Sequence, residues 1–419
     1  MPLNPTVLRA QFPALSLTDE GQSRLYFDNP GGTQVPRQVL DRMQDYLIHT
    51  NANHEGPFRT SVASDAVLAA AHAGMADLLN APSPHEIIFG PNMTTLTLAI
   101  SRSLATTFRP GDELLLTRMD HDANVAPWLL VAEDLGLTVK WLPFNRQTCR
   151  YELDQLDGLL TGRTRLAAVN YASNALGTIN DVKAIAERVH AVGGLVYVDA
   201  VQYVPHAPTD VQALDCDFLV CSAYKFFGPH QGILWGRTAL LESLRAYKVR
   251  TASDALPGRF ETGTQSHEGQ AGTLGVIEYL TWVGQTFASA FEAAFPHLSG
   301  RRRTLHAAMA ALAAYERDLC AYLLDGLQRI PGLTLYGIID ALHERVPTVA
   351  FTLAGQHPAE VNRKLAAANI FAWDGHYYAL EVVRHLGLED QGGMVRVGLA
   401  HYNTHDEIDR LLHVLRTIS

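Results

Sequence analysis

LVYVDA (195–200) and DFLVCSAYKFFGP (217–229) decide how this chain folds. Each holds a short apolar run, LVYV (195–198) and FLVC (218–221), that leads to a charged residue, Asp199 directly after the first and Lys225 four positions after the second. Runs without polar alternation belong to strands covered on both faces. Working outward, the same kind of run recurs at EIIF (86–89), ELLLT (113–117), LTVKWL (137–142), RLAAVNY (165–171) and GILWGR (232–237), with amphipathic stretches at 94–107, 122–135 and 181–192. This alternation predicts an α/β fold, a large domain built on a mostly parallel seven-stranded sheet with helices on both faces. Ligands collect beyond the carboxyl ends of such strands. After residue 250 the pattern changes. A polar, Gly-rich connection (251–270) precedes long helical stretches at roughly 272–295 and 301–329. Strands LTLY (333–336), PTVAFTL (347–353) and MVRVGLA (394–400) and a helix at 405–417 follow. The expected division is an N-terminal segment (1–25) packing with the small domain, a large domain (26–275) and a smaller α+β C-terminal domain (276–419).

Composition narrows the function. The 419 residues carry 33 basic and 43 acidic side chains, a formal charge of −10. A net-acidic chain without a basic stripe is a poor nucleic-acid binder. The densest basic run, Arg301-Arg302-Arg303, opens an Ala-rich helix and reads as a helix face. No apolar stretch reaches bilayer-spanning length, and MPLNPTVLRAQFPAL lacks the pattern of a secretory leader. Cys149, Cys216, Cys221 and Cys320 show neither disulfide-framework nor metal-type spacing, so the cytoplasm is the expected compartment. The 18 histidines are scattered, no HExxH or GxxxxGK[ST] occurs, and GQAGTLG (269–275) lacks the strand–turn–helix setting of a dinucleotide loop. No metal is assigned.

Taken singly, Asp199 reads equally as a helix cap or a site residue, and Lys225 as a snorkelling strand-end lysine. Together they match one chemistry. Pyridoxal 5′-phosphate (PLP) needs a lysine amine for its aldehyde and a carboxylate for its ring nitrogen. A third part is Gly90-Pro91-Asn92-Met93-Thr94-Thr95, where a helix opens after a strand and free N–H groups suit a phosphate. His121 follows a strand and could stack on a flat ring, and Asn174 also follows a strand. Arg396 could meet a substrate carboxylate or form a buried ion pair.

HDANVAPW (121–128), NYASNALGT (170–178), VYVDAVQ (196–202), CSAYKFFGP (221–229), RFETGT (259–264) and VRVGLAHYNTHDEIDRLL (395–412) resemble the group II cysteine desulfurases. These form part of the class V branch of fold-type I PLP-dependent transferases. The resemblance implies PLP as cofactor, Lys225 as its Schiff-base lysine, Asp199 as pyridinium partner, His121 as ring stacker and Gln202 at the phenolic oxygen. Met93, Thr94 and Ser222 would cradle the phosphate, and Thr264 would reach the cofactor of a neighbouring subunit, implying a homodimer. Asn174 and Arg396 would hold the carboxylate of a small amino acid, and His54 would line the pocket.

The chain also departs from that family. Gly375-His376-Tyr377-Tyr378-Ala379 puts Tyr378 where desulfurases carry the sulfur-accepting cysteine, and no cysteine follows Cys320. Tyr224 replaces a phosphate-binding histidine, Trp373 a basic residue, and Gly31-Gly32 a Ser/Ala-rich turn. The expectation is a C–S or C–Se β-lyase on a desulfurase-like scaffold. Transamination, or epimerisation with Tyr378, Tyr377 or His54 as second base, is an alternative, as is a non-catalytic PLP-binding regulator. A desulfurase borrowing a partner's thiol is a further one.

Overall fold

The structure, a computed structural model, describes residues 3–419. Its large sheet contains β1 (Ile87–Gly90), β2 (Glu113–Thr117), β3 (Thr138–Leu142), β4 (Thr164–Asn170), β5 (Leu195–Asp199), β6 (Phe218–Ser222) and β7 (Gly232–Gly236), in the order β1-β7-β6-β5-β4-β2-β3. All pairings are parallel except those of β7, which runs antiparallel to both β1 and β6. The seven apolar runs are these seven strands, and six of them are buried at nearly every position. The edge strand β3 is the partly exposed one.

The helices that position the site are α1 (Arg37–Asp45), α2 (Arg59–Leu78), α3 (Met93–Ala105), α4 (Ala126–Leu135) and α5 (Val182–Ala191). α6 (His267–Phe287) begins inside the expected connection and runs through residue 275, so the expected domain limit falls within one continuous helix. α7 (Gly300–Gln328) leads into the second unit, where α8 (Pro358–Ala367) and α9 (His405–Ile418) cover a four-stranded antiparallel sheet. Its strands β8 (Leu333–Tyr336), β9 (Thr348–Leu353), β10 (Trp373–Gly375) and β11 (Met394–Gly398) lie in the order β8-β9-β11-β10. Leu25–Tyr26 pairs with Ile370–Phe371 of the small domain, while Leu8 and Phe12 enter the core of the large one. The N-terminal segment therefore touches both. Arg301 and Arg302 are tied to Asp77 at 2.6 and 2.9 Å, so the basic run serves helix packing. No helix among the described residues is long and apolar enough to cross a membrane.

Candidate active site

The carboxyl ends of the parallel strands open onto a cavity of about 780 Å³, whose opposite wall carries Arg396 of β11, Trp373 of β10 and Tyr377 and Tyr378 of the loop between residues 375 and 379. In-register pairing sets Asn170, at the end of β4, beside Asp199, and Asp199 beside Val220 of β6. The chain then leaves β6 through a single tight turn, Ala223–Lys225, which brings Lys225 back over the strand ends. Asp199 and Lys225 thus line one cavity, together with Met93, Thr94, His121, Asn174, Gln202, Tyr224, Tyr378 and Arg396.

Burial dominates the electrostatics. It pushes the Lys225 amine down to about 7, helped by the Arg396 charge and opposed by Asp28 and Asp199. It raises Asp199 to about 6 against the Val201 N–H, which donates to Oδ1 at 2.9 Å, and against Lys225. It lowers His121 to about 4, with Lys225 and Arg396 acting in the same sense, so this ring is neutral and free to lie against another flat ring. His121 already stacks on Tyr378, with centroids 5.4 Å apart and planes 27° off parallel.

Lys225 Nζ donates to the carbonyls of Pro30 and Gly31 at 2.5 and 2.8 Å, and Gln202 Nε2 donates to Pro30 at 2.7 Å. The Gly-Gly segment has a steric reason: a Cβ on Gly31 would stand 2.2 Å from Asp28 Oδ2. Asp28 in turn holds Arg396 by an ion pair of 3.0 Å, while Asn174 O accepts from the same guanidinium at 3.0 Å and the Tyr377 ring lies 4.6 Å beneath it. Arg396 therefore faces the cavity and carries a buried ion pair at once. Its Nε and Asn174 Oδ1 are buried without a protein partner.

Ser222, Thr264 and His54 are absent from the cavity wall. Ser222 sits at the buried end of β6, its Oγ unpartnered. Thr264 is on an exposed loop. His54 is drawn aside because its loop folds back on α2: Ser61 Oγ donates to Asn53 O and accepts from Gly56 N–H, both at 2.7 Å. Its ring packs against His267, 5.9 Å away. Sequence reasoning missed Asp28 as the partner of Arg396, the two carbonyls on Lys225, and an apolar wall of Leu98, Pro127 and Leu130.

The residues fit PLP. The orphaned Ser222 hydroxyl, behind the cavity wall, and the first turn of α3, capped by Asn92 at Thr95 N–H (2.8 Å), would suit a phosphate. Asp199 suits a ring nitrogen, Lys225 an aldehyde, and His121 a ring face.

The family model for class-V aminotransferases matches residues 25–411. A cysteine desulfurase of Pectobacterium atrosepticum is 34% identical over 98% of this chain and 97% of its own length. The solved cysteine desulfurase of Thermococcus onnurineus superposes with a TM-score of 0.86 at 25% identity, covering 100% of this chain and 99% of that one. The desulfurase CsdA of Escherichia coli gives 0.82 at 27% identity, covering 100% and 98%. Fold and site thus define a PLP-dependent enzyme, as class-V aminotransferases and cysteine desulfurases are. The chain belongs to the class-V aminotransferase family, among its cysteine desulfurase-like members.

Proposed function

We propose that this enzyme eliminates sulfur or selenium from the β-carbon of an amino acid without passing it to a thiol of its own. One observation carries the reading: the cavity unites Lys225 and Asp199, yet none of the four cysteines lies on it. All four are buried elsewhere, and burial raises each thiol above its ordinary range. Tyr378 stands at the mouth instead, and a phenol cannot take up sulfur as a persulfide.

Bound PLP supplies an electron sink for charge developing at the α-carbon. Lys225, Asp199, Gln202, His121, Met93, Thr94 and Ser222 are the residues that would hold it, with Tyr224 beside the lysine. Arg396 orients the substrate carboxylate through its unpaired Nε, while Asn174, whose Nδ2 is taken up by Tyr377 O, offers its Oδ1 as an acceptor to the substrate's amino group. Lys225, its amine lowered to about 7, accepts the α-proton. The C–S bond then breaks with its electron pair on sulfur, and the thiolate leaves toward solvent. Thr264, exposed on its loop, supports the reading of a homodimer in which this residue serves the neighbouring site. The cytoplasm remains the compartment we assign.

Incubation with L-cysteine and a thiol acceptor tests the reading. Pyruvate and free sulfide should form in equal amounts, with no persulfide on acceptor or enzyme. Lys225→Ala should cut turnover by no less than about a hundredfold and abolish the yellow colour. Persulfide on the acceptor would overturn the proposal in favour of a desulfurase.

A further inference from the structure

The two ends of the cavity differ in chemistry. Its inner end holds the ion pair of Asp28 with Arg396, the amide of Asn174 and the pair Asp199 and Lys225. Its mouth is formed by large apolar groups from three separate segments: Leu130 of α4, Trp373 of β10 and Tyr378 of the 375–379 loop. These side chains are 53%, 55% and 69% exposed, although each could have been polar at no cost to the fold. Pro127 and Leu98 continue the surface inward. Apolar side chains converging on a concave mouth mark a place for an apolar ligand group. Free cysteine would not use it, because its thiol ends close to the reacting carbon.

The loop geometry reinforces this. Tyr377 and Tyr378 both have left-handed backbones, φ 51° and 59°, a conformation that costs a bulky residue of order 1–3 kcal/mol. Asn174 Nδ2 donates to Tyr377 O at 2.8 Å and Asp122 N–H to Tyr378 O at 2.7 Å, holding the strained pair in place. The result lays the Tyr378 ring parallel to His121 at the mouth. Asp122, which lines the cavity beside Tyr378, adds a carboxylate to this wall that disfavours a second one on the ligand.

We propose that the substrate is a cysteine S-conjugate whose sulfur carries an uncharged aromatic or alkyl group, seated between Leu130, Trp373 and Tyr378. This rests on the β-lyase reading and adds the substrate class. Lys225 takes the α-proton, the C–S bond breaks heterolytically with its electron pair on sulfur, and that proton, passed on from Lys225, ends on the thiolate. One water then hydrolyses the three-carbon enamine to pyruvate and ammonium, and the conjugate leaves as a free thiol.

The test separates binding from chemistry. The holoenzyme is mixed rapidly with S-benzyl-L-cysteine, L-cysteine, L-cystine or S-(2-aminoethyl)-L-cysteine, and binding is followed by the change in cofactor absorbance before turnover. Pyruvate is measured afterwards. S-benzyl-L-cysteine should bind at least about tenfold more tightly than the other three, the gain expected from burying one ring. Trp373→Ala and Leu130→Asp should each remove that preference. Preference for L-cystine or the aminoethyl conjugate would overturn the proposal. So would a preference that survives both variants while they weaken subunit association, since the mouth would then be a subunit contact. Tight binding without pyruvate would sink the lyase reading and leave the pocket standing; pyruvate from L-cysteine with no binding preference would do the reverse.

Discussion

In the proposed reaction Lys225 has to be a nucleophile at neutral pH, and its burial and three charged neighbours decide whether it can be. Burial removes the water that would solvate an ammonium, and Arg396 adds a like charge, while Asp28 and Asp199 pull the other way. The balance leaves the amine at about 7, below its ordinary 10.5. A group whose charged form is disfavoured is neutral above its shifted value, so cofactor uptake by the apo-protein should rise with pH through about 7 and level off above 8. At pH 5 it should be about a hundredfold slower than on the plateau. Arg396→Leu removes the repelling charge and should move the midpoint upward. Growth of cofactor absorbance after mixing measures both, and an uptake midpoint near 10 in the unaltered protein would contradict the argument. Lys225 and Asp199 were legible in the sequence because a charge ending an apolar strand stands out against its surroundings. Asp28 was not legible as a site residue, since it meets Arg396 only after 368 residues of chain have folded. Nor does anything in Gly375–Ala379 announce two consecutive left-handed tyrosines.

The strand β7 does for the phosphate cradle what Lys225 does for the aldehyde. Gly232, its first residue, pairs with Gly90 on one side and Ser222 on the other. A Cβ there would stand 2.3 Å from the backbone carbon of Asn92, the cap of α3. The missing side chain is what lets the N-terminus of α3 settle next to the orphaned Ser222 hydroxyl. Gly232→Ala should therefore displace backbone, costing about 1–3 kcal/mol in urea denaturation and more than tenfold in PLP affinity. Gly236→Ala, four residues along, meets the Phe218 ring at 2.9 Å and should cost stability with PLP affinity kept. Equal affinity losses in the two variants would show that Gly232 has no special relation to the cradle. Strand and helix positions around this site were readable because apolar runs and amphipathic stretches alternate cleanly. α6 begins a turn before the stretch that the sequence marks as helical, and Gly269 in that turn is the reason. A Cβ there would stand 2.4 Å from Gln231 Oε1, so the glycine serves close packing inside a helix. In sequence it looks like part of the polar connection.

At the scale of the whole molecule, the question is what keeps the two domains closed around the cavity, and a buried polar cluster supplies an answer. Glu316 of α7 meets His206, from the loop after β5, at 2.7 Å, and His401, from the loop after β11, at 3.8 Å. Tyr279 of α6 adds a hydrogen bond to His401 Nε2 at 2.6 Å. The Phe227 ring, two residues past Lys225, packs edge-on against His401 with centroids 4.5 Å apart, and Phe12 of the N-terminal segment packs on Phe227, Tyr279 and Tyr402. One carboxylate thus joins the large domain, the long connecting helix, the C-terminal region and the turn that carries Lys225. Burial opposes its charge, yet His206, by charge and hydrogen bond, brings it below the ordinary carboxylate range. A depressed acid contributes stability that is complete above its unfolded value of about 4.5 and is lost as pH falls below it toward the folded value. Glu316→Ala strands two buried imidazoles and should cost about 3–5 kcal/mol in urea denaturation at pH 7. Glu316→Gln, which keeps one acceptor oxygen, should recover part of that loss, and in both variants the acid-induced drop in stability below pH 4.5 should shrink. PLP absorbance followed through the same titrations tells whether the lysine turn loosens with the cluster. A loss under about 1 kcal/mol in Glu316→Ala would mean that apolar packing around Phe12 and Phe227 closes the domains without it.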